Sequence, residues 1–276
     1  MSLAQILSEC GFCFEKRFGQ NFLTDVNLLD AIAADANADG MTVLEIGTGA
    51  GTLTAALAKR AKRVVSYEID KNLMPVLART LAGLDEKVEV IFRDVMKESD
   101  EELDKILGGD YVLAANLPYY ITTPVIMRFI ERARKPKSIT VMVQKEVGER
   151  LIAAPGTPEY GAVTAAVALE GSAKITRIVP RTMFMPRPNV DSCVVRIDLD
   201  GRFANADKAA AKKFIRAAFA MRRKTLVNNI CAQFGQKRER AEKLLTRCGF
   251  DVRVRGEKLG VEDFIALSEA AKEIFE

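Results

Sequence analysis

The sequence predicts an α/β fold in which a doubly wound parallel sheet is followed by a small all-helical domain. From about residue 40 to residue 200, short apolar runs rich in β-branched residues alternate with amphipathic stretches, a pattern typical of a parallel sheet flanked by helices. Beyond about residue 204 the pattern is helical throughout. The chain has 276 residues, of which 49% are hydrophobic, so each part has enough apolar material for a core.

Seven apolar runs predict the strands of the sheet. The fourth run is continuously apolar, which indicates a strand buried on both faces. Helices are predicted between the runs, over 51–61, from Lys71 with Pro75 in the first turns, and over 124–134. The seven runs are Thr42–Ile46, Arg63–Tyr67, Val88–Phe92, Tyr111–Ala115, Ser138–Val143, Ala173–Val179 and Ser192–Ile197.

The helical part also differs from the rest in charge. Residues 1–199 carry 24 basic and 26 acidic residues, whereas 210–260 carry 14 basic and 4 acidic residues, although the whole chain has a net charge of only +4. A basic helical module beside a near-neutral domain predicts a polyanionic partner; a merely solvated charged face is the alternative. We place the boundary near residue 203 and divide the chain into an N-terminal segment (1–25), a sheet domain (26–203) and a helical domain (204–276).

The absence of histidine excludes several classes of chemistry. Ser-His-Asp and Cys-His catalysis, His-ligated zinc and imidazole acid/base chemistry all require that side chain. Cys10 and Cys13 have CxxC spacing, but no second CxxC completes a zinc site, so we expect reduced cysteines and no metal. The N-terminus lacks the features of a secretory signal, and no apolar run approaches the length of about 18 residues that a membrane span needs. We therefore expect a cytoplasmic protein with no membrane association.

A glycine-rich loop ends the first strand and begins the next helix. It reads Glu45-Ile-Gly47-Thr-Gly49-Ala-Gly51. Such glycines let the backbone approach a ligand, and the helix amides favour a polar or anionic group. The spacing is GxGxG and differs from the dinucleotide fingerprint GxGxxG, and no GxxxxGK[ST] cradle for ATP or GTP is present. A plain tight turn is the alternative interpretation.

Two acidic residues follow at the ends of the next two strands. Glu68 is placed to accept hydrogen bonds from both hydroxyls of a ribose, and Asp94 is placed to meet an adenine amino group. The order of the glycine loop and these acids resembles the S-adenosylmethionine-binding fold of the class I methyltransferases.

The fourth strand ends in Asn116-Leu117-Pro118-Tyr119, at the sheet edge where doubly wound folds place their ligands. An exocyclic adenine amine is a poor nucleophile because its lone pair is conjugated into the ring. The side-chain oxygen of Asn116 and the carbonyl of Leu117 could hold its two N–H groups and favour sp³ nitrogen. Pro118 stiffens the turn, and a flipped base could stack between Tyr119 and Phe184. A common strand-ending turn and a core phenylalanine are the alternatives.

Over nearly its whole length the chain resembles the ribosomal RNA adenine N6,N6-dimethyltransferases of the KsgA/Dim1 type. The glycine loop and the Asn116 turn belong to the resemblance. The other matching segments are Phe18-Gly-Gln20-Asn21-Phe-Leu23, Val143–Leu151, Tyr160-Gly161, Phe184-x-Pro-x-Pro-x-Val-Asp-Ser192, Arg222-Arg-Lys-Thr-Leu226 and Arg255-x-Glu-x-Leu259. Thr48, where the family often has proline, and Arg93, where it often has glycine, depart from the pattern.

The resemblance implies a Rossmann-like class I methyltransferase fold and the dimethylation of two adjacent adenines in the 3′-terminal hairpin loop of 16S rRNA, late in small-subunit assembly. It further implies S-adenosylmethionine as cofactor, S-adenosylhomocysteine as product, the small ribosomal subunit as partner and a monomeric enzyme. The implied cofactor contacts are Asn21, Leu23, Gly47, Gly49, Gly51, Glu68, Asp94 and Asn116. The implied catalytic residues are Asn116, Leu117, Pro118, Tyr119 and Phe184, and the implied RNA contacts are Arg222, Arg223 and Lys224.

Two other functions remain open from the sequence. One is a methyltransferase of the macrolide-resistance type that modifies an adenine of large-subunit rRNA; the Phe184 loop and the Arg222 segment argue against it. The other is an assembly or nucleic-acid-binding factor that kept the fold and lost turnover. The intact glycine loop, Glu68, Asp94 and the Asn116 turn argue against that interpretation.

Overall fold

A computed structural model describes residues 1–15 and 18–275. The chain forms two compact units. The first comprises 1–148 and 174–199, and the second comprises 149–173 and the chain from 200 onward. The division expected near residue 203 lies close to the crossing at 199/200, but no pattern in the sequence indicates that 149–173 belongs to the helical unit.

Nine strands occur in the described part of the chain. They are β1 (Phe22–Leu23), β2 (Thr42–Ile46), β3 (Arg63–Tyr67), β4 (Val88–Ile91), β5 (Tyr111–Asn116), β6 (Ser138–Gln144), β7 (Ser172–Val179), β8 (Phe184–Met185) and β9 (Ser192–Asp198). Seven of them form one sheet in the order β4-β3-β2-β5-β6-β9-β7, and β1 pairs with β8 in a separate two-stranded ribbon. Within the sheet the order reverses between β2 and β5, which is the topological switch point where ligands bind in such folds.

The direction of one strand corrects the prediction of a wholly parallel sheet. The neighbouring pairs among β2–β6 are parallel, but β9 runs antiparallel to β6, with Ser138 opposite Asp198. Only a short 3₁₀ turn and β8 lie between β7 and β9. Since β7 is the other neighbour of β9 in the sheet, the chain enters β9 from β7 without the crossover helix by which a parallel neighbour is usually reached.

The helices that follow the strands of the first unit have clear local signals. Asp25 and Ser99 cap α2 and α5 by accepting hydrogen bonds from backbone N–H groups. The predicted helix over 51–61 is shorter than expected and begins after Gly51, whose φ of 77° is left-handed. These helices are α1 (Leu3–Glu9), α2 (Val26–Asp35), α3 (Thr52–Ala58), α4 (Met74–Thr80), α5 (Asp100–Leu107), α6 (Thr122–Glu131) and α7 (Lys145–Leu151), of which α7 crosses into the second unit.

The second unit is helical and has its own apolar core. Its helices are α8 (Ala162–Glu170), α9 (Lys208–Ala220), α10 (Leu226–Phe234), α11 (Arg238–Arg247) and α12 (Val261–Phe275). Phe214 of α9 is buried and stacks on Phe234 with ring centroids 4.6 Å apart. Buried Tyr160, from the 149–173 segment, donates a hydrogen bond to the carbonyl oxygen of Leu259. Its ring also contacts Phe219 edge-on, so this segment completes the core of the helical unit.

Within residues 1–15 and 18–275, no helix combines the length and the apolar character needed to cross a membrane.

Candidate functional site

A cavity of about 320 Å³ lies in the first unit. Its lining includes residues at the carboxyl ends of four neighbouring parallel strands, β2, β3, β4 and β5. Ten of the predicted site residues line it: Asn21, Gly47, Gly49, Glu68, Asp94, Asn116, Leu117, Pro118, Tyr119 and Phe184. Leu23 and Gly51 do not, and Arg222, Arg223 and Lys224 belong to the other unit.

The glycine loop continues the pairing of β2 with β3. The backbone N–H groups of Gly47 and Thr48 donate to the carbonyl oxygen of Tyr67, at 2.8 and 3.3 Å. Gly47 and Gly49 have φ values of 79° and 54°, which glycine adopts without strain. A Cβ at Gly49 would lie 3.2 Å from the ring of Phe22. The missing side chains therefore leave the loop backbone accessible at the cavity wall.

Gly51 has a packing role instead. It lies at the N-cap of α3 with a positive φ of 77°. A Cβ there would come within 2.8 Å of the hydroxyl oxygen of Thr80. The spacing of the glycines did not distinguish this position from the two that line the cavity.

Glu68 is a nearly buried carboxylate at the end of β3, with 7% of its surface exposed. One oxygen accepts from the N–H of Gly49 at 2.8 Å, and the other accepts from the N–H groups of Ile69 and Asp70 at 2.8 and 2.9 Å. Burial raises the pKa of Glu68, while these three hydrogen bonds lower it. The carboxylate thus fixes the glycine loop, and of its roughly four lone-pair positions one, on the oxygen that accepts from Gly49, has no partner among these contacts.

Asp94 follows β4 and begins a short 3₁₀ turn. Its Oδ1 accepts from the N–H of Met96 at 3.0 Å, and its side chain is 39% exposed. The loop it begins is held from α6, where Arg128 donates to the carbonyl oxygen of Val95 at 2.7 Å and to that of Glu98. Arg128 is a supporting residue that the sequence reasoning did not single out, because nothing local links it to a loop some 30 residues away.

The Asn116 turn is tied to the N-terminal segment. The Nδ2 of Asn116 donates to the carbonyl oxygen of Asn21 at 3.3 Å. Since a carbonyl oxygen only accepts, this contact fixes the orientation of the amide and leaves Oδ1 as the acceptor. A Cβ at Gly47 would lie 3.6 Å from the carbonyl oxygen of Asn116, so the glycine loop passes close beside the turn.

The two predicted stacking residues are positioned by different elements. The hydroxyl of Tyr119 lies 2.9 Å from the Oγ of Ser192, the first residue of β9. Phe184 lies in β8, opposite Leu23 of β1 in the antiparallel register. Leu23 is 1% exposed and packs in the core of the sheet domain. The Phe184 loop is therefore anchored to the N-terminal segment. Leu23 packs in the core and does not line the cavity.

A buried hydrogen-bond chain lies behind the glycine loop. Glu45 is completely buried and one of its oxygens accepts from Thr54 and Ser66, at 2.6 and 2.7 Å. The Oγ of Ser66 lies 2.6 Å from that of Thr48. Burial raises the pKa of Glu45 to about 7, against the lowering effect of its two hydrogen bonds; the charge of Glu68 adds to the rise. Glu45 does not line the cavity; the sequence marked it only as the acid before the first glycine.

In the second unit, the predicted RNA contacts differ from one another. Arg222 donates to the carbonyl oxygens of Pro158 and Tyr160 and lies 3.6 Å from a carboxylate oxygen of Glu257. Arg223 and Lys224 are exposed. Arg222 is exposed as well, with 55% of its side chain accessible, but unlike the two that follow it also has contacts within its own unit.

The cavity suits a nucleoside-containing ligand and a second base. A carboxylate at Glu68, an exposed carboxylate oxygen at Asp94 and an open glycine backbone offer acceptors and space of the kind a nucleoside needs. The amide oxygen of Asn116 and the rings of Tyr119 and Phe184 offer an acceptor and aromatic surfaces near the same space. No imidazole is required for any of these contacts.

Comparisons with known proteins find similar sequences over nearly the whole chain. The family model of ribosomal RNA adenine dimethylase matches residues 11–273. The chain is 43% identical to "Ribosomal RNA small subunit methyltransferase A" of Geobacillus thermodenitrificans and of Bacillus licheniformis, in both cases over 98% of this chain and 95% of the relative.

Two solved structures are similar over most of the chain. A dimethyladenosine transferase from Plasmodium falciparum has a TM-score of 0.77 at 25% identity, covering 92% of this chain and 98% of that one. The 23S rRNA methyltransferase ErmE has a TM-score of 0.70 at 24% identity, covering 91% of this chain and 99% of that one. The latter similarity establishes the fold alone.

Proposed function

The chain belongs to the ribosomal RNA adenine dimethylase family, and from this premise we propose that it transfers methyl groups from S-adenosylmethionine to N6 of two adjacent adenines in the 3′-terminal hairpin loop of 16S rRNA, giving N6,N6-dimethyladenosines. The observation that carries the proposal is the oriented amide of Asn116. One of its N–H groups donates to the carbonyl oxygen of Asn21, so its oxygen can accept from a donor such as an adenine N6 amine.

The residues around the glycine loop fit the cofactor. Gly47 and Gly49 present open backbone, and Glu68 lines the cavity as a carboxylate that can accept from ribose hydroxyls. Asp94 would accept from the adenine amino group of the cofactor, and Asn21 would contact its methionine end. S-adenosylmethionine supplies an electrophilic methyl group on a sulfonium centre.

The Asn116 turn would prepare the target amine. The amide oxygen of Asn116 and the carbonyl oxygen of Leu117 accept its two hydrogens, which loosens the conjugation of the lone pair with the ring. Tyr119 and Phe184 hold the flipped base by stacking, worth roughly 1–3 kcal/mol per base, and Pro118 limits motion of the turn. Holding the amine in line with the methyl group is a proximity effect of roughly 7–11 kcal/mol. No tuned general base is needed, because the proton leaves after the methyl group has been transferred.

Partner and location follow from the same proposal. Arg222, Arg223 and Lys224 of the helical unit are exposed cations suited to rRNA phosphates, and the small ribosomal subunit is the proposed partner during its late assembly. We expect a cytoplasmic monomer.

The test is labelled-methyl transfer from S-adenosylmethionine to unmethylated small subunits and, in parallel, to large subunits, followed by mapping of the modified bases. We expect label only in small subunits, at N6 of two adjacent adenines. Label in large-subunit rRNA would establish the macrolide-resistance activity instead, and transfer to neither subunit would favour a factor without turnover.

A further inference from the structure

Tyr120 is an exposed aromatic side chain at the cavity that the proposed mechanism does not use. It is 62% exposed and also lines the cavity, so its ring lies at the mouth. Three exposed large hydrophobic side chains line the cavity in the described part of the chain: Ile69, Met96 and Tyr120. Ile69 directly follows Glu68 and Met96 lies two residues after Asp94, whereas Tyr120 directly follows the turn that would hold the target adenine.

The two adjacent tyrosines have different surroundings. Tyr119 is half-buried and its hydroxyl lies 2.9 Å from Ser192 Oγ. Tyr120 extends into solvent, and no hydrogen bond to its hydroxyl is found among residues 1–15 and 18–275. Beside it lies Gly19, where a Cβ would be 3.9 Å from Cε1 of Tyr120. The backbone of Gly19 therefore approaches the ring of Tyr120 at its Cε1 edge, and 62% of the residue stays exposed.

In the proposed RNA substrate, a nucleobase next to the target adenine lies at the mouth of the cavity. An adenine that leaves its stack to enter a cavity stays covalently bonded to the nucleotides before and after it. Those neighbours remain outside, where each has lost a stacking partner. An exposed tyrosine ring at the mouth can replace that partner, since every base presents a π-face to an aromatic side chain.

We propose that Tyr120 forms a stacking subsite for the nucleobase adjacent to the target adenine. This inference rests on the proposed function and deepens it. The enzyme acts on two adjacent adenines, and the subsite binds the large base that lies beside the target. A purine fills the subsite better than a pyrimidine because its ring area is larger. Tyr120 therefore affects the binding and register of RNA and does not affect the affinity for the cofactor.

The test compares Tyr120→Ala and Tyr120→Phe in methyl transfer to unmethylated small subunits. Tyr120→Ala lowers kcat/KM for the subunits by about 5- to 150-fold, the change that corresponds to stacking worth about 1–3 kcal/mol, while Tyr120→Phe retains most of the activity. In small subunits reconstituted with rRNA whose adjacent adenine is replaced by uracil, the loss caused by Tyr120→Ala is smaller. The affinity for S-adenosylhomocysteine and the Tm of Tyr120→Ala match those of the wild type.

The control is Ile178→Ala, which removes a 52%-exposed apolar side chain outside the cavity lining and leaves kcat/KM unchanged. Equal activity of Tyr120→Ala and wild type would overturn the subsite. So would a loss in Tyr120→Phe as large as in Tyr120→Ala, or a loss that ignores the adjacent base. No transfer by the wild-type chain would overturn the proposed function itself, whereas wild-type transfer that Tyr120→Ala leaves intact overturns this inference alone.

Discussion

At the scale of single residues, the amide of Asn116 is both an anchor and an acceptor. Its Nδ2 is held by the carbonyl oxygen of Asn21, which joins the N-terminal segment to the end of β5. We expect Asn116→Ala to lower kcat by roughly 100- to 1,000-fold, the loss typical of removing one preorganised hydrogen-bond partner from an active site. Single-turnover methyl transfer measures the change, with binding of small subunits and Tm close to wild type.

The matched control for that substitution is Asn72→Ala. Asn72 is an exposed asparagine that donates to Glu15 and lies outside the cavity lining, so its removal leaves kcat unchanged. Undiminished transfer by Asn116→Ala would show that the amide oxygen does not hold the target amine.

Because the chain has no histidine, the protonation of buried Glu45, behind the glycine loop, can be followed in the pH dependence of the free energy of unfolding. No side chain of the chain has an ordinary pKa between 5 and 8, whereas burial raises the pKa of Glu45 to about 7. Because folding raises this pKa, protonation of Glu45 stabilises the folded state. The stabilisation is complete below the unfolded pKa of 4.5 and is lost as the pH rises through 7. Relative to Glu45→Gln, we expect the wild-type free energy of unfolding to fall by about 3 kcal/mol across this window.

Urea unfolding of both proteins at several pH values from 4.5 to 8 measures that difference. Glu68, whose pKa burial also raises, is present in both proteins, so its own titration largely cancels. Glu86→Gln, at an exposed residue, is the control and should follow the wild-type curve. Parallel curves for wild type and Glu45→Gln would mean that Glu45 keeps an ordinary pKa.

At the scale of elements, α7 packs against the sheet through a glycine. A Cβ at Gly148 would lie 2.1 Å from the Sγ of Cys193 and 3.1 Å from Val195, both in β9. Although alanine favours a helix over glycine by about 1 kcal/mol, overpacking dominates, and Gly148→Ala should lower the free energy of unfolding by about 1–3 kcal/mol. Adding Cys193→Ala removes the closest atom and should restore part of the loss.

Gly109→Ala is the control for that pair, since a Cβ at Gly109 meets nothing within 4 Å. Its free energy of unfolding should stay within about 0.5 kcal/mol of wild type. Denaturant unfolding of the wild type, Gly148→Ala, Cys193→Ala and the double variant gives the coupling energy. A coupling energy near zero would show that α7 does not approach β9 this closely.

The strands and the positions of the site were predictable from sequence because their causes are local. The apolar runs led to β2–β6, and ten of the residues expected from the glycine loop, the acids, the Asn116 turn, the stacking argument and the family resemblance line one cavity. What was not predictable depends on contacts distant in sequence. The antiparallel β9, the support of the Asp94 loop by Arg128 and the placement of 149–173 in the helical unit each join segments far apart in the chain. The buried position of Glu45 was not predictable for the same reason, since its partners Thr54 and Ser66 come from other elements.

At the scale of the whole molecule, the excess of basic residues and the cavity proposed for methyl transfer lie in different units. The cavity lies in the first unit, and the excess of basic residues lies in the second, in which 210–260 carries 14 basic and 4 acidic residues. The net charge of +4 conceals this division. A cation that already has partners within its unit contributes packing as well as charge, so the basic residues of the helical unit are not equivalent toward an RNA partner.

That difference separates Arg222 from the two residues after it. Removing one cation that pairs with a phosphate lowers the slope of log K against log salt concentration by about 1. We expect Arg223→Ala and Lys224→Ala each to weaken binding to small subunits and to reduce this slope by about 1, at unchanged Tm. Arg222→Ala should in addition lower Tm, because its contacts with Pro158, Tyr160 and Glu257 hold the 149–173 segment and the Glu257 turn together. Lys62→Ala, an exposed cation of the first unit, is the control and leaves the slope unchanged. Binding measured between about 50 and 200 mM salt decides the matter: slopes unaffected by Arg223→Ala and Lys224→Ala would place the rRNA phosphates on other cations of the chain.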